Sequence, residues 1–302
     1  MLIIWGGDKF VDCSISLARK AKIPTAVIGA TVTSIGTTLP ELLVTIFSSS
    51  SDASGLAVGN ALGSAIFNTC IIGGLLLISL KLSTKNQIKT TLILYLFSCL
   101  MISLMCINRV LSTFEAIILI AIFLLFVIIN FKNSKNNNQL ETKDNNTSLK
   151  IIILMFIVSA LSIGIGAYFG VKSATNLAKA IGLSDILIGL TIVCVGTSLP
   201  ELITTITAIR KKEFGLGIGN IVGSNIINCS LLLGIAGIIN GNINVSNQTL
   251  FIAIPFTLLS AIALSLPLML KIKSNKWQGW LLFLLYIFYY ILLITTTILQ
   301  YV

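Results

Sequence analysis

Long apolar runs separated by short polar loops fill almost the whole chain. A helix of about 20 apolar residues is long enough to cross a bilayer. The pattern therefore predicts spans at 23–47, 55–79, 90–107, 111–131, 149–178, 184–209, 214–239, 248–270 and 278–301, preceded by an abbreviated helix at 1–20. We expect an all-α integral membrane protein of ten helices with a shortened first helix.

One long polar stretch, residues 132–148, interrupts this pattern in the middle of the chain. It is rich in asparagine and lacks any apolar periodicity, which is typical of a solvated linker. The chain is therefore expected to consist of a first transmembrane repeat at 1–131, a linker at 132–148 and a second repeat at 149–302.

The two halves are related by an internal duplication. A shift of 160 residues aligns 28–74 with 188–234 without a gap, and 20 of those 47 positions are identical. The identities include glycines and polar residues in register, which apolar composition alone would not reproduce. Such fixed-period similarity is the sequence signature of a repeat architecture.

The loop charges predict that the second copy is inverted. Five spans per half is an odd number, so the second half must enter the membrane from the opposite side. Alternate loops then place 16 of the 20 basic residues on one face, which the positive-inside rule assigns to the cytoplasm. We expect a multi-pass plasma-membrane protein with a cytoplasmic linker and an extracellular C-terminus. An inverted (5+5) repeat is the architecture of many secondary transporters.

Composition narrows the function classes further. Hydrophobic residues make up 56% of the chain and charged residues 10%, against roughly 25% charged residues in soluble domains. The net charge of +10 is explained by membrane orientation, so no nucleic-acid partner is expected. The six cysteines are scattered without a C-x-x-C pair, and we expect them to be small buried hydrophobic residues. There is no histidine. We expect neither an enzyme nor a resident cofactor, and we expect a monomer.

The most informative repeated segment is Gly36–Glu41, which returns as Gly196–Glu201 with the sequence G-T-[ST]-L-P-E. A carboxylate at membrane depth is costly and is a functional-site hypothesis by default. The proline in each copy removes a backbone donor, so Pro40 frees the carbonyl of Gly36 and loosens those before it. Irregular backbone at this depth is tolerated where it is buried or lines a cavity.

These features together form an all-oxygen donor set. Two carboxylates, Glu41 and Glu201, lie beside the hydroxyls of Thr37, Thr38, Thr197 and Ser198 and the freed carbonyls. Six to eight oxygens are what Ca²⁺ prefers, and Na⁺ has nearly the same radius. The alternative for each glutamate is a neutral, hydrogen-bonded carboxylic acid.

A second repeated element, G-N-x-x-G-S-x-x-x-N, places further polar groups on helices. Ser64 with Asn68, and Ser224 with Asn228, are spaced i, i+4 and so share one helical face. The glycines at 59, 63, 219 and 223 favour close helix packing. These serines and asparagines either line a cation site or form only interhelical hydrogen bonds, and the sequence leaves both open.

At these residues the chain resembles the sodium/calcium exchangers of the cation/Ca²⁺ exchanger superfamily. Its segments Ile28–Gly74 and Ile188–Gly234 are similar to the two alpha repeats of that family. The resemblance implies an antiporter that exchanges Ca²⁺ for Na⁺ by alternating access, with Ca²⁺ and Na⁺ as substrates bound at mid-membrane. It implies a site made of Glu41, Glu201, Thr37, Thr38, Thr197, Ser198, Ser64, Ser224, Asn68 and Asn228, with the carbonyls of Ser34 and Cys194.

Two departures from that family qualify these expectations. Some members carry aspartate where Asn228 stands, so K⁺ coupling is not expected here. Alignment of Gly6 with Gly166 also leaves the first helix roughly fifteen residues short of its counterpart. The alternatives are a cation/H⁺ antiporter of the same fold and a cation-binding protein without transport. A channel is disfavoured by the inverted repeat with broken helices, and an intramembrane protease lacks its Gly-x-Gly-Asp or serine–histidine groups.

Overall fold

The computed structural model describes residues 2–50, 54–79, 88–134, 148–180, 194–270 and 276–299, and these are almost entirely helical. The helices of the first half are α1 (Leu2–Ala21), α2 (Thr25–Thr37), α3 (Leu39–Ser50), α4 (Ser54–Ile78), α5 (Lys89–Met105) and α6 (Thr113–Ser134). Those of the second half are α7 (Leu149–Ala180), α8 (Cys194–Thr197), α9 (Leu199–Arg210), α10 (Phe214–Asn240), α11 (Thr249–Met269) and α12 (Lys276–Leu299).

The helix boundaries follow the apolar runs closely, except that the spans expected at 23–47 and 184–209 are each broken just before their proline. The span expected at 23–47 is split into α2 and α3, which meet at an angle of 47°. Among the described residues, seven helices are long and apolar enough to cross a membrane, and the α2–α3 pair makes an eighth if it counts as one span. Helix α6 continues to Ser134, three residues into the expected linker, and the start of the span expected at 184–209 lies outside the described residues.

Helix α1 is present at nearly the residues that the sequence predicts. It has 20 residues, whereas its counterpart α7 has 32. The two helices pack against each other through equivalent glycines. A Cβ added at Gly6 would lie 3.0 Å from the carbonyl oxygen of Ser159, and one at Gly166 would lie 2.4 Å from Ile3 Cγ1. Small residues at these positions therefore allow the two helix backbones to approach closely.

Helices α4 and α10 form the centre of the molecule. In each, 83% of the apolar span is buried, against 22% for the spans in α7 and α12. Large apolar side chains on the outer helices, such as Leu154, Leu161 and Leu284, are exposed, as expected for a surface in contact with lipid. The site-forming segments therefore lie inside a ring of lipid-facing helices.

The two halves interlock around these central helices. Helix α12 of the second half packs on α4, where a Cβ at Gly74 would lie 3.0 Å from the carbonyl oxygen of Gly279. Reciprocally, α6 of the first half packs on α10, where a Cβ at Gly234 would lie 2.9 Å from the carbonyl oxygen of Ala116. Gly74 and Gly234 are equivalent positions of the repeat. This exchange of helices ties the halves into one core.

Four segments of the described chain depart from the α-helix toward a wider π-helix. Segments Gly29–Thr33, Asn68–Gly73, Ile227–Leu232 and Thr249–Ala253 are π-helical. The second and third lie at nearly equivalent positions of the two repeats, and π-bulges are frequent at functional sites. A two-residue antiparallel ladder between Val110–Leu111 and Ile243–Asn244 is a small β element that the sequence pattern did not predict.

Candidate functional site

Both copies of the proline-glutamate motif lie at a helix break. Helix α2 ends at Thr37 and α3 begins at Leu39, while α8 ends at Thr197 and α9 begins at Leu199. Each proline therefore stands in the first turn of the following helix, where its missing N–H is least costly. The break leaves Thr38 and Ser198 between helices, with their hydroxyls directed into the centre of the protein.

The expected loosening of the Ser34 carbonyl is not observed. Its oxygen accepts the backbone N–H of Thr38 at 3.0 Å and the hydroxyl of Thr37 at 3.2 Å. The proline removes the donor to the carbonyl of residue 36, but the turn before it keeps its bond. Cation binding by the Ser34 carbonyl stays a prediction, as does that by Cys194, whose side chain is outside the described set.

The two glutamates are fully buried, and each is held by the motif of the other half. Glu201 Oε1 accepts the hydroxyl of Thr38 at 3.0 Å. Glu41 Oε1 accepts the hydroxyl of Ser198 at 3.2 Å. Thr38 and Ser198 are equivalent positions of the repeat, so the two bonds form a reciprocal pair. The carboxylates therefore lie on opposite sides of one interface between the broken helices.

The first threonine of each motif also crosses to the other half. Thr37 Oγ1 donates to the amide oxygen of Asn220 at 3.1 Å. Thr197 Oγ1 donates to the amide oxygen of Asn60 at 3.3 Å. Asn60 and Asn220 are again equivalent positions, on the central helices α4 and α10. The site thus has a second reciprocal pair of bonds.

The remaining expected residues of the central helices are fully buried and differ in their bonding. Ser224 Oγ lies 3.0 Å from Thr38 Oγ1 and 3.3 Å from Glu201 Oε1. In the part of the chain that the structure describes, no hydrogen-bond partner is found for the hydroxyl of Ser64 or for either side-chain atom of Asn68 and Asn228. The same holds for Oε2 of both glutamates.

Unpartnered buried polar atoms are costly, and each in a native protein needs an explanation. Here they include carboxylate, hydroxyl and amide oxygens, which is the donor chemistry that hard cations prefer. No cluster of three or more His, Cys, Asp or Glu side chains was found among the described residues. A cation bound here would therefore be held by two carboxylates and neutral oxygens.

Comparison with known proteins identifies the family. A sequence profile described as "Sodium/calcium exchanger protein" matches residues 1–132 and 151–295. The chain belongs to this family. The expected resemblance is therefore confirmed over both halves, and the family is one of membrane transporters.

Individual relatives in this family are similar over nearly the full length. The sodium/calcium exchanger MaX1 of Methanosarcina acetivorans is 29% identical, covering 97% of this chain and 95% of its own. The membrane protein MJ0091 of Methanocaldococcus jannaschii is 31% identical, covering 95% and 93%. A crystal structure of the sodium-calcium exchanger NCX_Mj superposes with a TM-score of 0.84 at 29% identity, covering 95% and 93%. The ten-helix inverted-repeat fold is thereby confirmed.

Some buried polar residues next to the two motifs were not among the sequence predictions. Asn60 and Asn220 were recognised only as repeat matches, although each lies four residues before a predicted serine on the same helical face. Thr45 and Thr205 lie one helical turn after each glutamate, fully buried, with hydroxyls that have no partner among the described residues. The available signal was the recurrence of a polar residue, in register, inside an apolar span.

Proposed function

We propose that this protein is a secondary antiporter that exchanges Ca²⁺ for Na⁺ across the plasma membrane by alternating access. One Ca²⁺ or a set of Na⁺ ions binds at mid-membrane between Glu41 and Glu201, and the two sets exclude each other. The linker at 132–148 is cytoplasmic and the C-terminus extracellular, as the basic loops indicate. The relatives named sodium/calcium exchanger support the choice of ions.

The observation that carries this proposal is the reciprocal bonding of the two carboxylates. Each buried glutamate accepts a hydroxyl from the other half and keeps one oxygen without a partner among the described residues. Two adjacent carboxylates carry a charge of −2 in a low-dielectric surrounding, where repulsion is strong. A divalent cation, or monovalent cations in its place, neutralises that charge.

Charge neutralisation also explains why exchange is favoured over leak. An empty site with two uncompensated carboxylates is costly to close off from water, which a change of access side requires. The loaded site lacks that cost, so the protein changes its access side mainly with ions bound. Coupled exchange follows if Ca²⁺ and Na⁺ compete for the same oxygens.

The test is Ca²⁺ uptake by purified protein in sealed vesicles. We expect uptake that depends on an outward Na⁺ gradient and is absent without it. Vesicles with a pH gradient and no Na⁺ serve as the comparison, and uptake there would assign the protein to the cation/H⁺ antiporters instead. A variant carrying both Glu41→Gln and Glu201→Gln is the matched control and should show no gradient-dependent uptake.

Direct Ca²⁺ titration of the same preparation separates binding from transport. Binding without flux under any gradient would support the cation-binding alternative. Absence of both binding and flux in folded protein would contradict the proposed function as a whole.

A further inference from the structure

We propose that Asn60 and Asn220 are positioning residues, which turn the hydroxyls of Thr197 and Thr37 so that their lone pairs face the cation. This inference rests on the proposed function, because it concerns how the same site binds its ions. It assigns a role to two residues that are outside the predicted ligand set.

The first step is the direction of the hydroxyl protons. A hydroxyl has one proton to donate and two lone pairs to offer. Thr37 Oγ1 has carbonyl-type acceptors at Asn220 Oδ1 (3.1 Å) and Ser34 O (3.2 Å), and these compete for its single proton with Ser224 Oγ at 3.4 Å and with the carboxylate of Glu201. A cation requires lone pairs, so this hydroxyl is turned for binding before the ion arrives.

The neighbouring hydroxyl in each motif directs its proton toward a glutamate carboxylate. Thr38 and Ser198 donate their protons to Glu201 and Glu41. Their bonds must rearrange when a cation takes the carboxylate oxygens, whereas the Thr37–Asn220 and Thr197–Asn60 bonds need not change. The first hydroxyl of each motif donates to an asparagine, whereas the second donates to a carboxylate.

The second step is the orientation of the amide itself. Asn60 Nδ2 lies 3.5 Å from the backbone carbonyl oxygen of Glu41, which leaves Oδ1 to face Thr197. Asn60 is 5% exposed and Asn220 is fully buried. A Cβ added at Gly29 of α2 would lie only 3.1 Å from the backbone nitrogen of Asn220 in α10. Helix α2 therefore restricts the backbone of α10 at Asn220. Burial and close packing fix the amides in place.

The third step is the repetition of the arrangement. The Thr37–Asn220 and Thr197–Asn60 bonds join equivalent residues with the halves exchanged. A contact that served packing alone would not need the same donor and acceptor on both sides. Ligand groups held in place in this way bind with a smaller entropic cost.

A double-mutant cycle tests the inference, using Ca²⁺ titration of purified protein. We expect Thr37→Val and Asn220→Leu each to weaken Ca²⁺ binding by about 10-fold, the scale of one positioned ligand. Thr37→Val should cost nothing further in the Asn220→Leu background, because its hydroxyl is no longer oriented there. Thr197→Val should keep its full cost in that background, since it pairs with Asn60.

Asn220→Asp is the conservative control. It keeps an oxygen facing Thr37, so Thr37→Val should recover its full cost in this background. Asn220→Ala replaces the leucine variant if the latter does not fold, and the Asn60–Thr197 pair provides an independent cycle in the same protein.

The outcomes separate this inference from the proposed function. If Thr37→Val costs the same in the wild-type and Asn220→Leu proteins, the asparagine is only a packing residue and the inference is overturned. If the wild-type protein binds neither Ca²⁺ nor Na⁺, the proposed function fails first.

Discussion

The two halves of the site have equivalent residues, but the hydrogen bonds to their glutamates differ. Glu201 Oε1 accepts hydroxyls from Thr38 and Ser224, whereas Glu41 Oε1 accepts one from Ser198. Ser64, the counterpart of Ser224, has no hydrogen-bond partner in the described part of the chain. The duplication therefore preserved the donor set without preserving its bonding. A cation bound as proposed would have fewer bonds to displace on the Glu41 side than on the Glu201 side.

The largest expected effect comes from removing either carboxylate. We expect Glu41→Gln and Glu201→Gln each to reduce Na⁺-dependent Ca²⁺ uptake by at least about 100-fold, because a buried charge then lacks its partner in neutralising the ion. Uptake into vesicles of matched protein content measures this. If one variant transported normally, the two halves would not share one ion, and the comparison above would describe two separate sites.

Close packing between the halves gives the next effect. A Cβ at Gly219 would lie 2.2 Å from the backbone carbonyl oxygen of Ala26, so Gly219→Ala must displace a helix. We expect it to lower the free energy of unfolding by about 1–3 kcal/mol, as overpacking does. Thermal unfolding of detergent-solubilised protein measures this, with Gly164→Ala as control, since a Cβ there meets no described atom within 4 Å.

An unchanged Gly219→Ala protein would contradict the close approach of α10 to α2. A Cβ added at Gly223, one turn later, would lie 2.3 Å from the carbonyl oxygen of Ala30. The predicted packing role is therefore observed for Gly219 and Gly223. At Gly59, which is exposed, an added Cβ would meet no described atom within 4 Å, so the predicted close packing is not observed there among the described residues. The role of Gly63 stays a prediction.

The serine pair tests the asymmetry directly. Ser224→Ala removes bonds to Thr38 and Glu201, so it should lower the stability of the ion-free protein by about 1 kcal/mol. Ser64→Ala removes a hydroxyl without a described partner and should leave that stability unchanged, while weakening Ca²⁺ binding. Thermal unfolding with and without Ca²⁺ distinguishes the two effects. Equal shifts in the ion-free proteins would mean that the halves are equivalent.

The smallest expected effect concerns an ion pair between the two halves, in which Lys211 stands where the first copy has Ser51. Lys211, in the loop after α9, lies 2.7 Å from both Asp8 and Asp12 of α1. Partial burial lowers the pKa of Lys211, but the hydrogen bonds and charges of the two aspartates outweigh it and raise the pKa above its ordinary value. Its contribution is therefore present below the unfolded pKa of about 10.4 and is lost as the pH rises through the folded pKa.

We expect Lys211→Met to lower the free energy of unfolding by about 0.5 kcal/mol at pH 7, because both aspartates are about half exposed and solvent screens the pair. The difference from wild type should disappear above pH 11 or so. Arg210→Met is the control, and thermal unfolding at the two pH values is the measurement. A gap that persisted in strong alkali would show that the lysine stabilises by packing instead of charge.

Much of the fold and the list of site residues followed from the duplication and the apolar runs. The proline-glutamate motif predicted a helix break with a buried carboxylate, and α2–α3 has that break at Thr38. Periodicity also placed Ser64 with Asn68 on one helical face. These features depend on residues close in sequence, so a single chain suffices to predict them.

The partners across the interface could not be predicted in this way. Nothing in the local pattern says that Thr38 bonds Glu201 of the other half and not Glu41 of its own, because that choice depends on how the broken helices meet. Asn60 and Asn220 were missed for the same reason. The π-helical segments also escaped prediction, since one extra residue per turn leaves no mark in a run that is apolar on all sides.

The reciprocal bonds between the halves have the form of a two-fold homodimer contact, in which the same patch faces itself. Thr38 reaches Glu201 as Ser198 reaches Glu41, and helices α6 and α12 are exchanged in the same manner. Such self-complementary geometry is what two identical five-helix subunits, inserted in opposite orientations in the bilayer, would form. The present chain is thus organised like a fused pair of subunits, in which each half bonds the buried glutamate of the other.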